Sequence, residues 1–354
     1  MSVTQHTLAL QQQLEAALAT ITDRHTRVLV AAWADAWDEV APDLTGVLVE
    51  MLVSGDRITK AQLLRSERLR KALTLIAANL RDLAAQAGVT ITGDLAEVVD
   101  LAGGAQASII DSQLPPGSGH LVDLQAWSRV DERQIAAIVK RTTEQVTSLT
   151  RPLSADAYQV VRRELIRGVA AGTNPRVTAA RIVARTEQGF NGGLARALTI
   201  ARTETLDAYR TAAQLGQEAH ADVLAGWIWL ADLTGRVCPA CLSQHGTRHP
   251  VSDPGPLGHQ NCRCSRMPVT KTWAELGYPD IVEPAPLIPD AGAWFDGLPE
   301  ADQRRILGPA RLTAYQAGDY PMSGWATRRS TDGWRDSYVV SPAPKAGRRS
   351  RIAA

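Results

Sequence analysis

The sequence predicts a mainly α-helical protein with a small α+β subdomain built around a cluster of cysteine and histidine residues. Three observations support this fold class. Apolar residues recur at helical spacing in the first third of the chain, as in Leu69, Leu73 and Ile76. A tryptophan-rich segment, residues 225–235, alternates large apolar residues in the manner of a strand. All four cysteines of the 354-residue chain then lie between Cys238 and Cys264, interleaved with three of its seven histidines.

The composition is that of a globular protein. Hydrophobic residues make up 45% of the chain and charged residues 21%, and the formal net charge of +1 gives no general indication of a nucleic-acid partner. No segment has the order of a signal peptide, and no window approaches the roughly 20 apolar residues of a membrane span. We therefore expect a soluble protein made in a cytosol, with no membrane partner. In that reducing compartment four cysteines are expected to bind metal rather than to form disulfides.

Turn-forming residues divide the chain into five regions. Pro115 and Pro116, followed by two glycines, interrupt the helical pattern most clearly. Further along, Pro299 is suited to the first turn of a helix that ends near Leu307. The predicted regions are a helical N-terminal region (1–115), a linker (116–129), a domain (130–270) whose Cys/His knuckle spans 226–270, a proline-rich connector with a C-terminal helix (271–320), and a loosely ordered basic tail (321–354).

The segment around Trp227 and Trp229 predicts a short strand that enters a hairpin at the turn of Thr234 and Gly235. Residues 263–269, which contain and follow the last cysteine, can supply the returning strand. We expect both tryptophans to cover the cysteine cluster rather than to face solvent, because large aromatic side chains are mostly buried.

The cysteine spacing is typical of a zinc site. Cys238 and Cys241 form a C-x-x-C turn, and His259, Cys262 and Cys264 follow as H-x-x-C-x-C. Two such turns can supply the four ligands of a tetrahedral zinc ion, which prefers thiolate and imidazole. Because five candidates compete for four positions, we favour Cys238, Cys241 and His259 with either Cys262 or Cys264. Reduced buried thiols and a disulfide remain alternatives. The predicted fold class is therefore mainly α with a small zinc-binding α+β subdomain, and the predicted cofactor is structural zinc.

Motifs for catalysis are absent from the sequence. The deaminase order of His-x-Glu before Pro-Cys-x-x-Cys is not met, and neither H-E-x-x-H nor G-x-S-x-G occurs. A nuclease arrangement of His259 with Asn261 lacks a second suitable histidine. We therefore expect no catalytic residues and no enzyme activity.

Three segments together resemble the phage Mu protein F-like family of phage head proteins. They are "IARTET" from Ile200, "ADLTGRVCPAC" from Ala231 and "GHQNCRC" from Gly258. The sequence departs from the family pattern at Gln260, where proline is usual, and in a longer turn before Cys238. The resemblance implies a minor head protein of a tailed bacteriophage that acts in head morphogenesis near the portal and resides in the virion. It implies portal, scaffold or capsid proteins as partners, and it carries over the five ligand candidates and a helix motif, Arg202, Thr203 and Glu204. For that motif an internal ion-pair and capping network is the favoured interpretation.

Two alternative functions stay open at this point. Residues 131–210 carry 13 Lys or Arg against 8 Asp or Glu, and the tail adds Lys345, Arg348, Arg349 and Arg351. These charges suggest a zinc-dependent nucleic-acid-binding protein, or contact of the basic tail with packaged DNA. The other alternative is an enzyme, either a nuclease or a capsid maturation protease.

Overall fold

The computed structural model describes residues 2–53, 67–123, 132–150, 175–331 and 334–344. Within these ranges the chain is mainly α-helical with two small antiparallel sheets, which confirms the predicted fold class. The helices are α1 (Gln5–Val53), α2 (Glu67–Gly93), α3 (Leu95–Asp111), α4 (Glu132–Thr150), α5 (Pro175–Glu218), α6 (Pro239–Gln244), α7 (Ala291–Asp296), α8 (Glu300–Leu307) and α9 (Pro309–Gln316). The strands are β1 (Leu224–Leu230), β2 (Arg248–His249), β3 (Ser265–Thr270), β4 (Ala326–Thr331) and β5 (Trp334–Val340).

The chain forms two compact units, and each is assembled from segments that are distant in sequence. The first comprises Met1–Leu18, Glu97–Ile138 and Leu206–Ala354, and the second comprises Ala19–Ala96 and Val139–Thr205. This division differs from the consecutive regions predicted from the sequence. The reason is that turn residues such as Pro115 and Pro116 mark where the chain changes direction, whereas the units are defined by which segments pack together.

The second unit is helical wherever it is described. Its buried side chains include Leu29, Trp33, Leu83 and Ile91. An ion pair joins α1 to the turn between α2 and α3, because Asp94 Oδ2 lies 2.9 Å from Arg24 Nη2 and 2.8 Å from Nε2 of the buried His25.

The first unit contains a three-stranded antiparallel sheet with β1 in the middle, in the order β2–β1–β3. Both predicted strands are confirmed, β1 in the tryptophan segment and β3 after the cysteines. The predicted hairpin at Thr234 and Gly235 is wrong, because β1 ends at Leu230, α6 follows this turn, and β1 pairs with β2 and β3 further along the chain.

Trp227 and Trp229 share one face of β1, because side chains two apart in a strand point the same way. Both are only 1% exposed and pack in the same core as three of the cysteines, as expected. At Gly226, where φ is +153°, a side chain would collide with the carbonyl of His249 on β2.

The end of α3 packs against this sheet. Gln113 is fully buried, and its side-chain amide donates to the carbonyl of Pro268 in β3 at 2.8 Å. The carbonyl of Gln113 accepts a hydrogen bond from the indole of Trp273 at 2.9 Å. Ile110, Leu114 and Leu224 belong to a small apolar core beside these contacts.

The short helix α8 matches its prediction closely. It begins after Pro299 and ends at Leu307, where Gly308 takes φ of +77°. Acidic residues occupy its first turn and arginines its last turn, which suits the helix dipole at both ends.

The prediction of a loosely ordered tail from residue 321 is wrong for the part that the structure describes. β4 and β5 pair as an antiparallel hairpin, and the amide of Tyr338 donates to the carbonyl of Leu257 at 2.9 Å. Trp325, which is 0% exposed, lies 5.0 Å between ring centroids from Phe295 and 5.2 Å from Tyr315. The buried Trp325 therefore anchors the hairpin. The mostly polar sequence of β4, with its two arginines, gives no indication of this order. The basic residues from Lys345 onward lie outside the described residues.

Replacing this anchor tests whether the C-terminal hairpin belongs to the core of the first unit. We expect Trp325→Ala to lower the free energy of unfolding by about 3–5 kcal/mol, because it removes a fully buried aromatic ring. Urea unfolding followed by circular dichroism measures the loss. Val282→Ala is the control, since Val282 is 90% exposed. Equal stability of the two variants would contradict the packing described.

Candidate metal centre

The first ligand turn lies between β1 and α6. Cys238 is the N-cap of α6, where its Sγ accepts a hydrogen bond from the backbone amide of Cys241 at 3.3 Å. Pro239 occupies the first helical turn, where its missing N–H costs nothing. One helical turn is thus enough to place two sulfur atoms on the same side of the chain.

The second ligand turn runs from Gly258 into β3. The amide of Cys262 donates to the carbonyl of His259 at 3.1 Å, and Asn261 between them has a left-handed φ of 62°. Asparagine tolerates that conformation better than most residues. Gly258 is required by close approach, because a Cβ at this position would overlap with Cys262 Sγ.

The structure brings all five predicted ligands together. Cys238, Cys241 and His259 offer ligand atoms within 4.8 Å of one another, and so do Cys241, Cys262 and Cys264. The two groups share Cys241, whose Sγ lies 3.6 Å from Cys262 Sγ. A tetrahedral ion with metal–sulfur bonds of about 2.3 Å separates its ligand atoms by roughly 3.8 Å, so this spacing fits one ion between the two turns.

The cluster is buried on one side and open on the other. Cys241, Cys262 and Cys264 are buried, whereas Cys238 and His259 are half-buried at the mouth of a pocket. The pocket is lined by Asp232, Arg236, Val237, Cys238, Cys241, His259, Asn261, Cys262, Arg263 and Cys264. All four cysteines are free, so the structure contains no disulfide between them.

Hydrogen bonds between the thiols divide them into proton donors and acceptors. Hydrogen bonding between Cys238 and Cys241 lowers the pKa of Cys238 to about 5 and raises the pKa of Cys241. The hydrogen bond with Cys238 raises the pKa of His259 to about 9. The hydrogen bond from Cys241 also lowers the pKa of Cys262, whereas burial raises the pKa of Cys264. These directions favour the thiolate at Cys238 and Cys262 and the protonated form at Cys241, Cys264 and His259.

Arg210, which the sequence analysis missed, supports the second ligand turn directly, beside Trp229, which the sequence analysis expected to cover the cluster. Arg210 on α5 donates hydrogen bonds from Nη2 to the carbonyls of Cys262 and Cys264, at 2.8 and 2.9 Å. Trp229 packs in the same apolar core as Cys264. Trp229 could be expected near the cluster from its place in the strand. For Arg210 the sequence gives no signal, since one arginine among several on a helix has no distinguishing spacing.

The two other histidines of the cysteine segment are engaged elsewhere. His245 Nδ1 accepts a hydrogen bond from the amide of Ala231 at 3.0 Å, so its Nε2 carries the proton and donates to the carbonyl of Pro289 at 3.1 Å. Burial lowers the pKa of His245, which favours this neutral form. His249 stacks on Trp227 with ring centroids 4.3 Å apart. Both side chains thus help to hold the loop that connects the two ligand turns.

The match with known proteins covers the same part of the chain. Residues 159–267 match the family model described as phage Mu protein F like protein. The chain contains a phage Mu F-like region. This confirms the resemblance seen in the sequence, and the matched range includes all five ligand candidates. No curated protein and no solved structure gives a significant match to the chain. The family suggests a phage head morphogenesis protein. Proteins of this family are structural components of phage heads.

The helix motif of the phage Mu F-like region, Arg202, Thr203 and Glu204, belongs to the second compact unit, whereas the ligand candidates belong to the first. Thr203 is 3% exposed and Glu204 is 1% exposed. The hydroxyl of Thr203 donates to the carbonyl of Thr199 one turn earlier at 2.7 Å. These contacts agree with a packing role inside the helical unit, and a functional role for the motif stays a prediction.

The tight packing between Gly258 and the side chain of Cys262 can be tested by substitution. We expect Gly258→Ala to lower the free energy of unfolding by about 1–3 kcal/mol, because the added methyl group forces Cys262 away from Cys241. It should also weaken metal binding, measured by competition with a chelating dye. Gly324→Ala is the control, since a Cβ there meets no atom within 4 Å. A Gly258→Ala protein with unchanged metal affinity would refute this packing constraint.

The proton distribution gives a second test. At pH 7 the raised pKa values of Cys241 and His259 keep a proton on each, and a metal ion must displace both to reach the sulfur and the imidazole. We therefore expect binding to release about two protons per ion and affinity to fall as the pH is lowered. Calorimetric titration with Zn²⁺ in two buffers of different ionisation enthalpy measures the number released. Binding without proton release would be incompatible with these pKa directions.

Proposed function

We propose that the chain is a minor head protein of a tailed bacteriophage that acts in head morphogenesis near the portal and is braced by one structural zinc ion. The observation that carries the proposal is that the phage Mu F-like match coincides with the Cys/His cluster, between residues 159 and 267. The proposed partners are the portal, scaffold or capsid proteins, and the proposed location is the head of the virion after assembly in the host cytoplasm. Within the described ranges no helix combines the length and apolar character needed to cross a bilayer.

The donor set fits zinc. Three buried thiols, one half-buried thiol and an imidazole are the groups that zinc prefers, and the spacing between the sulfur atoms of Cys241 and Cys262 suits a tetrahedral ion. We assign the ligands as Cys238, Cys241, His259 and Cys262. Cys262 is preferred to Cys264 because its Sγ lies 3.6 Å from Cys241 Sγ, a spacing that suits two ligands of one tetrahedral ion.

The ligands support a structural role for the ion. Four protein ligands close a zinc site, whereas catalytic zinc keeps one position for water or substrate. Here the candidates exceed the four positions, so the chain itself can fill the coordination sphere. The ion would supply the charge that holds four deprotonated side chains together, and binding would contribute folding free energy to the small sheet.

The surroundings of the cluster explain what such a brace would stabilise. Cys241, Cys262 and Cys264 share one apolar core with Trp229, Phe295, Leu307, Leu312 and Trp325. Elements from β1 to β5 thus pack around the two ligand turns. A rigid, closed patch of this kind suits a docking surface for another head protein better than a site of turnover.

A matched pair of variants in the phage or prophage that encodes the chain tests the proposal. We expect Cys262→Ala to abolish stoichiometric zinc and to reduce the yield of DNA-filled heads, because it removes an assigned ligand. Cys264→Ala removes the same number of atoms from a buried neighbour and should keep both. Elemental analysis of the purified proteins and electron microscopy of the lysates measure the two effects.

The same experiment separates the rival functions. Wild-type protein without zinc would refute the metal centre, and normal heads in the absence of the protein would refute the assembly role. DNA or capsid-protein cleavage that is lost in His259→Ala, with the fold kept, would instead indicate an enzyme. Tight DNA binding that weakens steeply between low and moderate salt would indicate the nucleic-acid-binding alternative.

A further inference from the structure

Arg210 on α5 holds the backbone of the second ligand turn through three hydrogen bonds. Nη2 donates to the carbonyls of Cys262 and Cys264 at 2.8 and 2.9 Å, and Nε donates to the carbonyl of Cys264 at 3.2 Å. We infer that Arg210 is a positioning residue that fixes the sulfur atoms of the H-x-x-C-x-C turn for the metal ion. This inference rests on the zinc site proposed above.

The fixed geometry of the guanidinium makes this contact selective. Nη1 is held by Asp207 Oδ1 at 2.9 Å, one turn earlier on the same helix, so the side chain is oriented before it reaches the turn. The guanidinium then bonds two carbonyls that belong to alternate residues. Fixing both carbonyls fixes the backbone on either side of Arg263, and with it the direction in which the flanking cysteine side chains leave the chain.

Because Arg210 is buried, solvent screens its positive charge only weakly. Its side chain is 5% exposed, and the carboxylate of Asp207 is 15% exposed. A zinc ion with three thiolates and a neutral imidazole carries a net charge of −1, and an anionic centre inside a protein is costly unless a counter-charge lies nearby. Arg210 brings its positive Nη2 to the carbonyls of the ligand turn, while its Nη1 pairs with Asp207.

Outer groups that orient metal ligands typically change affinity by 10- to 100-fold when they are removed. A lysine at the same position keeps the charge, but its ammonium group is a point donor that cannot bridge two carbonyls and a carboxylate in one plane. The charge of Arg210 and its ability to bond two carbonyls at once can therefore be tested separately by substitution.

Zinc affinity of the full chain, measured by competition with a chelating dye, is the primary test. We expect Arg210→Gln to weaken zinc binding roughly 10- to 100-fold and Arg210→Lys to weaken it less. Cobalt(II) is the spectroscopic probe, because its visible bands report the symmetry of the ligand field and its thiolate charge-transfer band reports sulfur ligation. The bands of both variants should shift from those of the wild type.

The control is Arg311→Gln. Arg311 also donates to a backbone carbonyl of a neighbouring segment, that of Ser341 at 2.9 Å, but it touches no ligand turn. A purely structural role for Arg210 would lower the stability of the metal-free protein and leave zinc affinity and cobalt bands like those of the control. If Arg210→Gln does not fold, the comparison is made with Arg210→Lys.

The outcomes distinguish this inference from the proposed function. Wild-type protein that binds no zinc overturns both. Wild-type protein that binds one zinc, with both Arg210 variants within threefold of its affinity and unchanged cobalt bands, overturns only the role of Arg210. Weaker binding with shifted bands in the Arg210 variants, and not in the Arg311 variant, supports it.

Discussion

The contact between two ligand turns, seen in the 3.6 Å separation of Cys241 Sγ and Cys262 Sγ, is the constraint around which the first unit is organised. The turns are joined by a loop of 20 residues, which costs conformational entropy to close. The three-stranded sheet between them is too small to offset that cost by itself, because β2 has only two residues. The sheet and the cluster thus depend on each other, since β1 leads into the first turn and β3 leaves the second.

The loop between the turns is secured from inside the protein. Arg266 on β3 is 0% exposed and donates hydrogen bonds to the carbonyls of Val251 and Asp253, at 2.9 and 3.0 Å. Its guanidinium also lies 4.6 Å from the ring of Trp227, and Nε donates to the side-chain oxygen of Gln217 on α5 at 2.9 Å. Burial lowers the pKa of Arg266 to about 10, a cost that these bonds and the aromatic ring offset. These contacts tie the loop to β1, β3 and α5.

The sequence contained enough information to predict the local chemistry but not the long-range packing. The strand of Trp227 and Trp229, the returning strand and the convergence of five ligands follow from short periodicities and spacings, which act within about 30 residues. The β4–β5 hairpin was missed because its buried anchor, Trp325, precedes a strand in which every residue after Ala326 is polar or charged. Arg210 was missed for a different reason. Its partners are carbonyls about 50 residues away, and backbone carbonyls leave no mark on a sequence.

The range of the phage Mu F-like match has a physical explanation in these contacts. It begins before α5 and ends within β3, so it includes the helix that contributes Arg210 as well as both ligand turns. A thiolate-rich centre needs its counter-charge and its ligands in the same folded piece, because neither is stable when buried without the other. The elements after residue 270 play a different part. α7, α8, α9 and the hairpin contribute Phe295, Leu307, Leu312 and Trp325 to the core around the cysteines. They shield a centre whose bonding partners are already complete, and such apolar cover tolerates changes of sequence as long as volume is preserved. The matched range thus contains both ligand turns together with the arginine that bonds the backbone of the second.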